Sequence, residues 1–212
     1  LDAEAILLCE ADGTPEEVAE EIARVKTVLE ASGASEVRIS ANEAERLRFW
    51  AGRKAAFPAV GRMTPDYLCM DGTIPRKRLA EMLEAIDILS TKYGLRCANV
   101  FHAGDGNLHP LIMYDANRPG ELDRAAAFGA EILELSVRFG GTITGEHGVG
   151  LEKVDLMAAQ FGDGEIAAFH RLKAAFDDSG LFNPGKGVPT LARCREYTLA
   201  RAGTKTSPQA SR

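Results

Sequence analysis

One run constrains this chain more than any other: Val100-Phe101-His102-Ala103-Gly104-Asp105-Gly106-Asn107-Leu108-His109. An Asp-Gly pair between β-forming residues predicts a hairpin, because a tight hairpin turn needs positive φ. A turn centred on Asp105-Gly106 pairs Ala103 with Leu108 and His102 with His109. Seven positions apart on one straight strand, the two rings would face opposite ways. Across a hairpin they share a face, with Cβ atoms about 5 Å apart. Two neutral imidazoles so placed can chelate a transition metal.

A second run supplies a carboxylate: Gly140-Gly141-Thr142-Ile143-Thr144-Gly145-Glu146-His147-Gly148-Val149-Gly150. Its glycines open backbone conformations closed to other residues and let another chain or a ligand approach closely. Three of the four histidines lie in these two runs. The expectation is a metal held by His102, His109 and Glu146, with His147 beside it as an acid/base group. The same spacing also fits an ordinary cross-strand histidine contact and a plain tight turn. No cysteine joins the cluster, so a closed structural zinc site is excluded, and two histidines with one carboxylate leave coordination positions open.

The rest of the chain sets the frame. At 212 residues it can bury a sizeable core. A net charge of −6 and a pI near 5.3 argue against a nucleic-acid or anionic-membrane surface, since both need a basic footprint. Arg76-Lys77-Arg78 reads as a solvated helix opening. None of Cys9, Cys69, Cys97 and Cys194 forms a C-x-x-C pair, and Cys9 and Cys97 read as small buried hydrophobes, which fits a reducing, cytoplasmic setting. No long apolar span or signal peptide is evident. The chain opens without a Met, straight into a strand-like run, so a longer parent protein is expected.

In order, Ala5 to Glu10 reads as a buried strand. Thr14-Pro15-Glu16-Glu17 caps a helix with Val18, Ile22, Val25 and Leu29 on one stripe, stopped by Ser32-Gly33. Glu36 to Ser40 reads as a strand, and Asn42-Glu43-Ala44-Glu45 as a capping box opening a helix to about Lys54. Phe57 to Pro65 reads as a loop, Tyr67 to Met70 as a strand. Pro75 opens a helix carrying Leu79, Met82, Leu83, Ile86 and Leu89, ended by Gly94. The histidine hairpin spans Leu95 to Tyr114, and a long helix follows Pro119-Gly120 up to Gly140-Gly141. Helical stretches lie around Val154 to Gln160 and Glu165 to Phe176, with a turn at Leu181 to Gly187. His170 reads as an ordinary helix-surface residue. A single domain over 1–198 and a polar, disordered tail over 199–212 are expected. The order implies an α+β fold with helices on one sheet face and the histidines on the other.

Gly145-x-x-Gly148-x-Gly150 lacks the order of a dinucleotide fingerprint, and no Walker lysine follows. Taken together, however, His102-x-Gly104-Asp105-Gly106-Asn107-x-His109, Gly145-Glu146-His147-Gly148-x-Gly150 and Asn183-Pro184-Gly185-Lys186 resemble the C-terminal domain of FAD-linked oxidases of the vanillyl-alcohol oxidase type. Phe49 to Arg62 and Tyr67 to Pro75 are most similar to the branch of bacterial glycolate oxidase D subunits and D-lactate dehydrogenases. The resemblance runs from about Ala5 to Pro189. It implies a ferredoxin-like antiparallel sheet and oxidation of a 2-hydroxy acid to a 2-oxo acid, with hydride passed to FAD. By motif match it implies His102, His109 and Glu146 as ligands of zinc or manganese, His147 as base and substrate contact, and Arg53 as carboxylate clamp. Asn183 and Gly148 would lie at the flavin. Where some relatives hold a second substrate carboxylate with Thr and Lys, this chain has Phe57 and Cys69, which favours a monocarboxylate such as glycolate or D-lactate. Leu111 stands where some relatives carry Asn, which removes one polar contact.

The family's N-terminal FAD domain has no counterpart in this chain, so the flavin would be held mainly there. Partners so implied are that FAD domain and further oxidase subunits, an iron-sulfur subunit among them, with peripheral attachment at the inner membrane through them. Nucleic acid is not expected. An uncovered domain face would favour self-association of the fragment. Other readings of the residues are a stand-alone metal-binding module, a metal hydrolase using the open site to activate water, or a non-catalytic interaction domain.

Overall fold

The computed structural model describes residues 3–189. It divides into two units, Leu1–Ala59 and Val60–Arg212. The expected tail and Cys194 lie outside the described residues.

The first unit holds helices α1 (Pro15–Ala31) and α2 (Glu43–Lys54). Thr14 caps α1 reciprocally with Glu17, as the sequence reading expected. Asn42 caps α2 through the Glu45 N–H at 3.0 Å, but Glu45 returns its carboxylate to the Ala41 N–H rather than to Asn42. Val18, Ile22, Val25 and Leu29 are the least exposed positions of α1, yet none is fully buried. Ala5–Glu10 and Glu36–Ser40 are not strands: β propensity alone makes no ladder, and neither run is hydrogen-bonded to a partner strand among the described residues. Cys9 is exposed and Cys97 only partly buried, contrary to expectation for both. A short helix α3 (Ala56–Val60) replaces the front of the expected loop. Pro58 is tolerated there because its missing N–H falls in the first turn, where no intrahelical acceptor exists.

The second unit is built on an antiparallel sheet. Strands β1 (Asp66–Cys69), β3 (Cys97–Asn99) and β5 (Pro110–Tyr114) run in the order β1-β5-β3. Two shorter strands, β2 (Gly72–Thr73) and β4 (Asn107–Leu108), pair separately. Helix α4 (Leu79–Tyr93) joins β1 and β2 to β3, and α5 (Glu121–Arg138) follows β5. This βαββα succession, with the third strand between the first two, is the α+β, ferredoxin-like arrangement expected. α6 (Met157–Gln160) and α7 (Asp163–Phe176) complete the order, α6 preceded by a 3-10 turn over Val154–Leu156.

Helical spacing explains the core. α4 buries Met82, Ile86 and Leu89 and stops at Gly94, whose φ of 63° closes the helix in the left-handed region. α5 buries Ala125, Phe128, Gly129, Ile132, Leu133 and Ser136. Both helices pack over Leu108 and Ile112 of the central strands. Each fully buried large side chain there contributes about 1.5–3 kcal/mol. Tyr93 stacks on Phe128 with centroids 5.4 Å apart, and its hydroxyl donates to Glu131 at 2.8 Å. By alternation His109 falls with Leu111 and Met113 on the sheet face away from α4 and α5. No helix of the described residues is long and apolar enough to cross a membrane.

The hairpin forms in a different register from the one its Asp-Gly pair suggests. His102 bridges to Asn107, not His109, and a four-residue turn spans 103–106. The His102 carbonyl accepts from the Asp105 and Gly106 N–H groups, both at 3.1 Å. The Val100 N–H then donates to His109 O at 3.2 Å, continuing the β3–β5 ladder in which Asn99 faces Pro110. The ladder chosen upstream thus overrules the two-residue turn. A slip by two residues preserves facing, so His102 and His109 still share a side, diagonally, with ring centroids 5.3 Å apart.

Gly106 has a φ of 74°, and a Cβ there would collide with the Ile74 carbonyl, whereas Gly104 has open space and no such backbone requirement. Gly106→Ala should cost about 2 kcal/mol or more of unfolding free energy, against under about 0.5 kcal/mol for Gly104→Ala. Urea denaturation of the two variants checks this, and equal effects would mean the turn does not have this geometry.

Candidate active site

The site forms where a strand is interrupted. In β1–β5, Cys69 faces Leu111, and the Met70 N–H donates to Pro110 O at 3.1 Å. In β2–β4, Gly72 faces Leu108. The two ladders are one register, broken at the step where Asp71 falls opposite His109. Both side chains are buried, at 0% and 4% exposure. Asp71 Oδ1 lies 3.7 Å from His109 Nε2.

The Gly-rich run folds over this break. Thr142 bridges to Thr73, with hydroxyls 2.8 Å apart, and the Ile143 N–H is held by Gln160 at 2.9 Å. The chain then wraps around the Asp71 carboxylate. Thr144 Oγ1 and the N–H groups of Gly145 and His147 donate to Asp71 Oδ2 at 2.8, 2.9 and 3.0 Å. The Glu146 N–H reaches Oδ1 at 3.1 Å. Lys153, 3% exposed, adds its ammonium at 3.0 Å to Oδ2 and 2.8 Å to the Asp71 carbonyl. Burial alone would raise the Asp71 pKa. The His147 N–H, the Thr144 hydroxyl and the Lys153 ammonium outweigh it and hold the carboxyl well below the usual carboxylate range.

With the loop so held, Glu146 points at the histidines. Its Oε1 lies 2.9 Å from Nε2 of His109 and 3.8 Å from Nε2 of both His102 and His147. The His147 ring stacks on His109 at 4.9 Å and 6°. Burial, then the neighbouring His147, push the His109 pKa down against the pull of Glu146 and Asp71. A neutral ring is the form that can ligate a metal. Donor atoms of Asp71, His109, Glu146 and His147 all lie within 4.8 Å of one another. His102 stands just outside this tightest group. The donor chemistry therefore fits a divalent ion.

Other expected residues fall as follows. Gly148 (φ 82°) and Gly150 (φ 54°) have open space around them. The Gly187 N–H donates to Gly150 O at 2.9 Å, tying the Asn183-Pro184-Gly185-Lys186 turn to the Glu-His loop. Asn183 itself takes a φ of 46°. A cleft beside His147 is lined by Cys69, Gly148, Val149, Lys153 and Lys186. Gly148 and Gly150 leave part of its rim without side chains. Burial and the Asp71 charge push the Cys69 thiol up to about 11, which removes it as a thiolate nucleophile. Arg53 lies in the last turn of α2, half-buried, in the first unit. Phe57 is in α3. His170, half-buried on α7, places its Nε2 2.7 Å from the Pro189 carbonyl.

Sequence reasoning missed Asp71 and Lys153. An aspartate followed by glycine inside a β run was the available signal for the first. Nothing local marks Lys153 as a buried cation.

Comparison with known proteins places the chain in a family. The family described as FAD linked oxidases, C-terminal domain, matches residues 1–187. The chain is 61% identical over 197 residues to the glycolate oxidase subunit GlcD of Escherichia coli K12, covering 93% of this chain and 40% of the relative. It is 37% identical to the Bacillus subtilis GlcD, covering 91% and 41%. It is 34% identical to a D-lactate dehydrogenase of Anaerostipes hadrus, covering 86% and 39%. The chain thus spans about 40% of the length of these curated relatives. A match of this extent makes the chain a member of the FAD-linked oxidases, corresponding to their C-terminal domain.

Proposed function

We propose that this chain is the substrate-binding and catalytic domain of a flavoprotein that oxidises a small 2-hydroxy acid, glycolate or D-lactate, to the 2-oxo acid. The carrying observation is one carboxylate oxygen, Glu146 Oε1, with three imidazole Nε2 atoms within 3.8 Å. His102, His109 and Glu146 would hold a divalent ion, zinc or manganese. A bound ion would act as a Lewis acid on the substrate hydroxyl and lower its pKa. His147, about half exposed beside the cleft, would take the hydroxyl proton at Nε2. The flavin would supply hydride acceptance, for which no side chain substitutes. Gly148 and Asn183 would border its ring, and its other contacts would come from an FAD-binding domain outside this chain. Arg53 would clamp the substrate carboxylate, its planar fork matching two oxygens. Phe57 and Cys69 offer no second cation, which supports a monocarboxylate. The similarity to proteins named as glycolate oxidase subunits supports further oxidase subunits as partners. An iron-sulfur subunit among them, and a cytoplasmic location with peripheral attachment to the inner membrane, belong to the same proposal.

Three outcomes are expected. Chain stripped of metal and titrated with zinc should take up one ion, and His109→Ala or Glu146→Gln should weaken uptake by at least about 100-fold. No uptake by the wild type removes the metal from this reading. In the full-length flavoprotein, Arg53→Lys should lower kcat/KM for glycolate or D-lactate by at least about tenfold, or about 1.4 kcal/mol. A change within about twofold would reassign the clamp. The chain by itself should fold, keep no stoichiometric flavin through gel filtration and reduce no dye with either acid. Exposed Phe176, Leu181 and Phe182, at 80%, 75% and 66%, should favour its self-association at high concentration. A yellow, active fragment would show that the chain carries a complete redox site.

A further inference from the structure

The geometry points to Asp71 as the positioning residue of this site: its carboxylate, neutralised by Lys153, fixes the Gly145–His147 backbone and so aims Glu146 and His147. The inference rests on the reading of Glu146 as ligand and His147 as base given above.

Three observations carry it. The first is the donor count. Asp71 Oδ2 accepts from Thr144 Oγ1, Gly145 N, His147 N and Lys153 Nζ at 2.8 to 3.0 Å, and Oδ1 from Glu146 N at 3.1 Å. A carboxylate offers about four lone-pair sites. Four of these donors crowd Oδ2, which has no lone pair left for a cation, while Oδ1, 3.7 Å from His109 Nε2, carries only the Glu146 N–H that Oδ2 shares at 3.2 Å. The second is chain geometry. Three successive N–H groups converging on one anion form a nest, and here the anion is internal. A Cβ on Gly145 would meet Asp71 Oδ1 at 2.8 Å and crowd Asn107, so only glycine lets the loop come this close. The third is burial. Asp71 and Lys153 are 0% and 3% exposed, whereas Glu146 and His147, whose backbones they hold, keep half-exposed side chains. The anchor is inside and the working groups face the cleft.

Outer groups that orient metal ligands typically change metal affinity by about 10–100-fold when removed. Removing Asp71 alone would strand a buried lysine, so the informative variant is Asp71→Asn combined with Lys153→Met, made in the full chain. Thr144→Val, which deletes one donor to the same oxygen, serves if the double variant does not fold. Two quantities are measured: amide hydrogen exchange of the segment holding Gly145 to His147, and zinc affinity with the visible spectrum of the cobalt-substituted site. The double variant should still melt cooperatively. Its loop amides should exchange at least about tenfold faster, its zinc affinity should fall about 10–100-fold, and its cobalt bands should shift. Thr144→Val should move the same quantities less. Unchanged exchange and an unchanged cobalt spectrum would overturn the inference. So would a loss of zinc as complete as in His109→Ala, because Asp71 would then be a ligand. If the wild type binds no metal, the metal leaves the functional reading, while hydrogen exchange still decides whether Asp71 holds the loop.

Discussion

Everything in the second unit hangs on one strand-like segment, Asn107 to Tyr114, that is paired on both edges. One edge is held by Asp66 to Thr73, the other by Cys97 to His102. The two registers are fixed independently by the helices α4 and α5 packed over Leu108 and Ile112. Once both are set, the position of His109 is not free. It must lie opposite Asp71 on one side and diagonal to His102 on the other. The grouping of Asp71, His102 and His109 is thus a consequence of sheet register, and a strand slip by one residue would turn His109 into the helix-facing core.

The break at Asp71 and His109 exchanges two ladder positions for a buried charge. An unpaired carboxylate there would be costly. Lys153 and the loop donors make it tolerable, and the result is an anion held well below its ordinary pKa at the base of an otherwise mobile class of segment, a glycine-rich loop. Rigid support from below and open space above Gly148 and Gly150 give the loop two unlike faces.

Much of this was legible in the chain because its signals are local. Helix caps at Thr14, Asn42 and Gly94 and the apolar stripes of α4 and α5 need only neighbours three or four residues away. The proximity of His102 to His109 was legible too, though not its register. A turn residue pair reports only its own preference, whereas pairing was decided by the ladder from Cys97 to Asn99. Ala5–Glu10 and Glu36–Ser40 misled because strand propensity does not name a partner. Asp71 and Lys153 were illegible for the same reason at longer range. They are 82 residues apart, and a buried ion pair is a property of the fold, not of either segment.

The nest around Asp71 has a bearing on selectivity. Glycine-rich turns commonly offer their backbone N–H groups to an incoming phosphate or carboxylate. In this chain those of Gly145, Glu146 and His147 all point inward and are already committed. These three groups are therefore closed to a foreign anion. In the proposed function, recognition of the substrate's charge falls to a side-chain cation, which, unlike a peptide backbone, can be exchanged by a single substitution. A scaffold of this design holds its loop from the inside and leaves the side chains around it free to change.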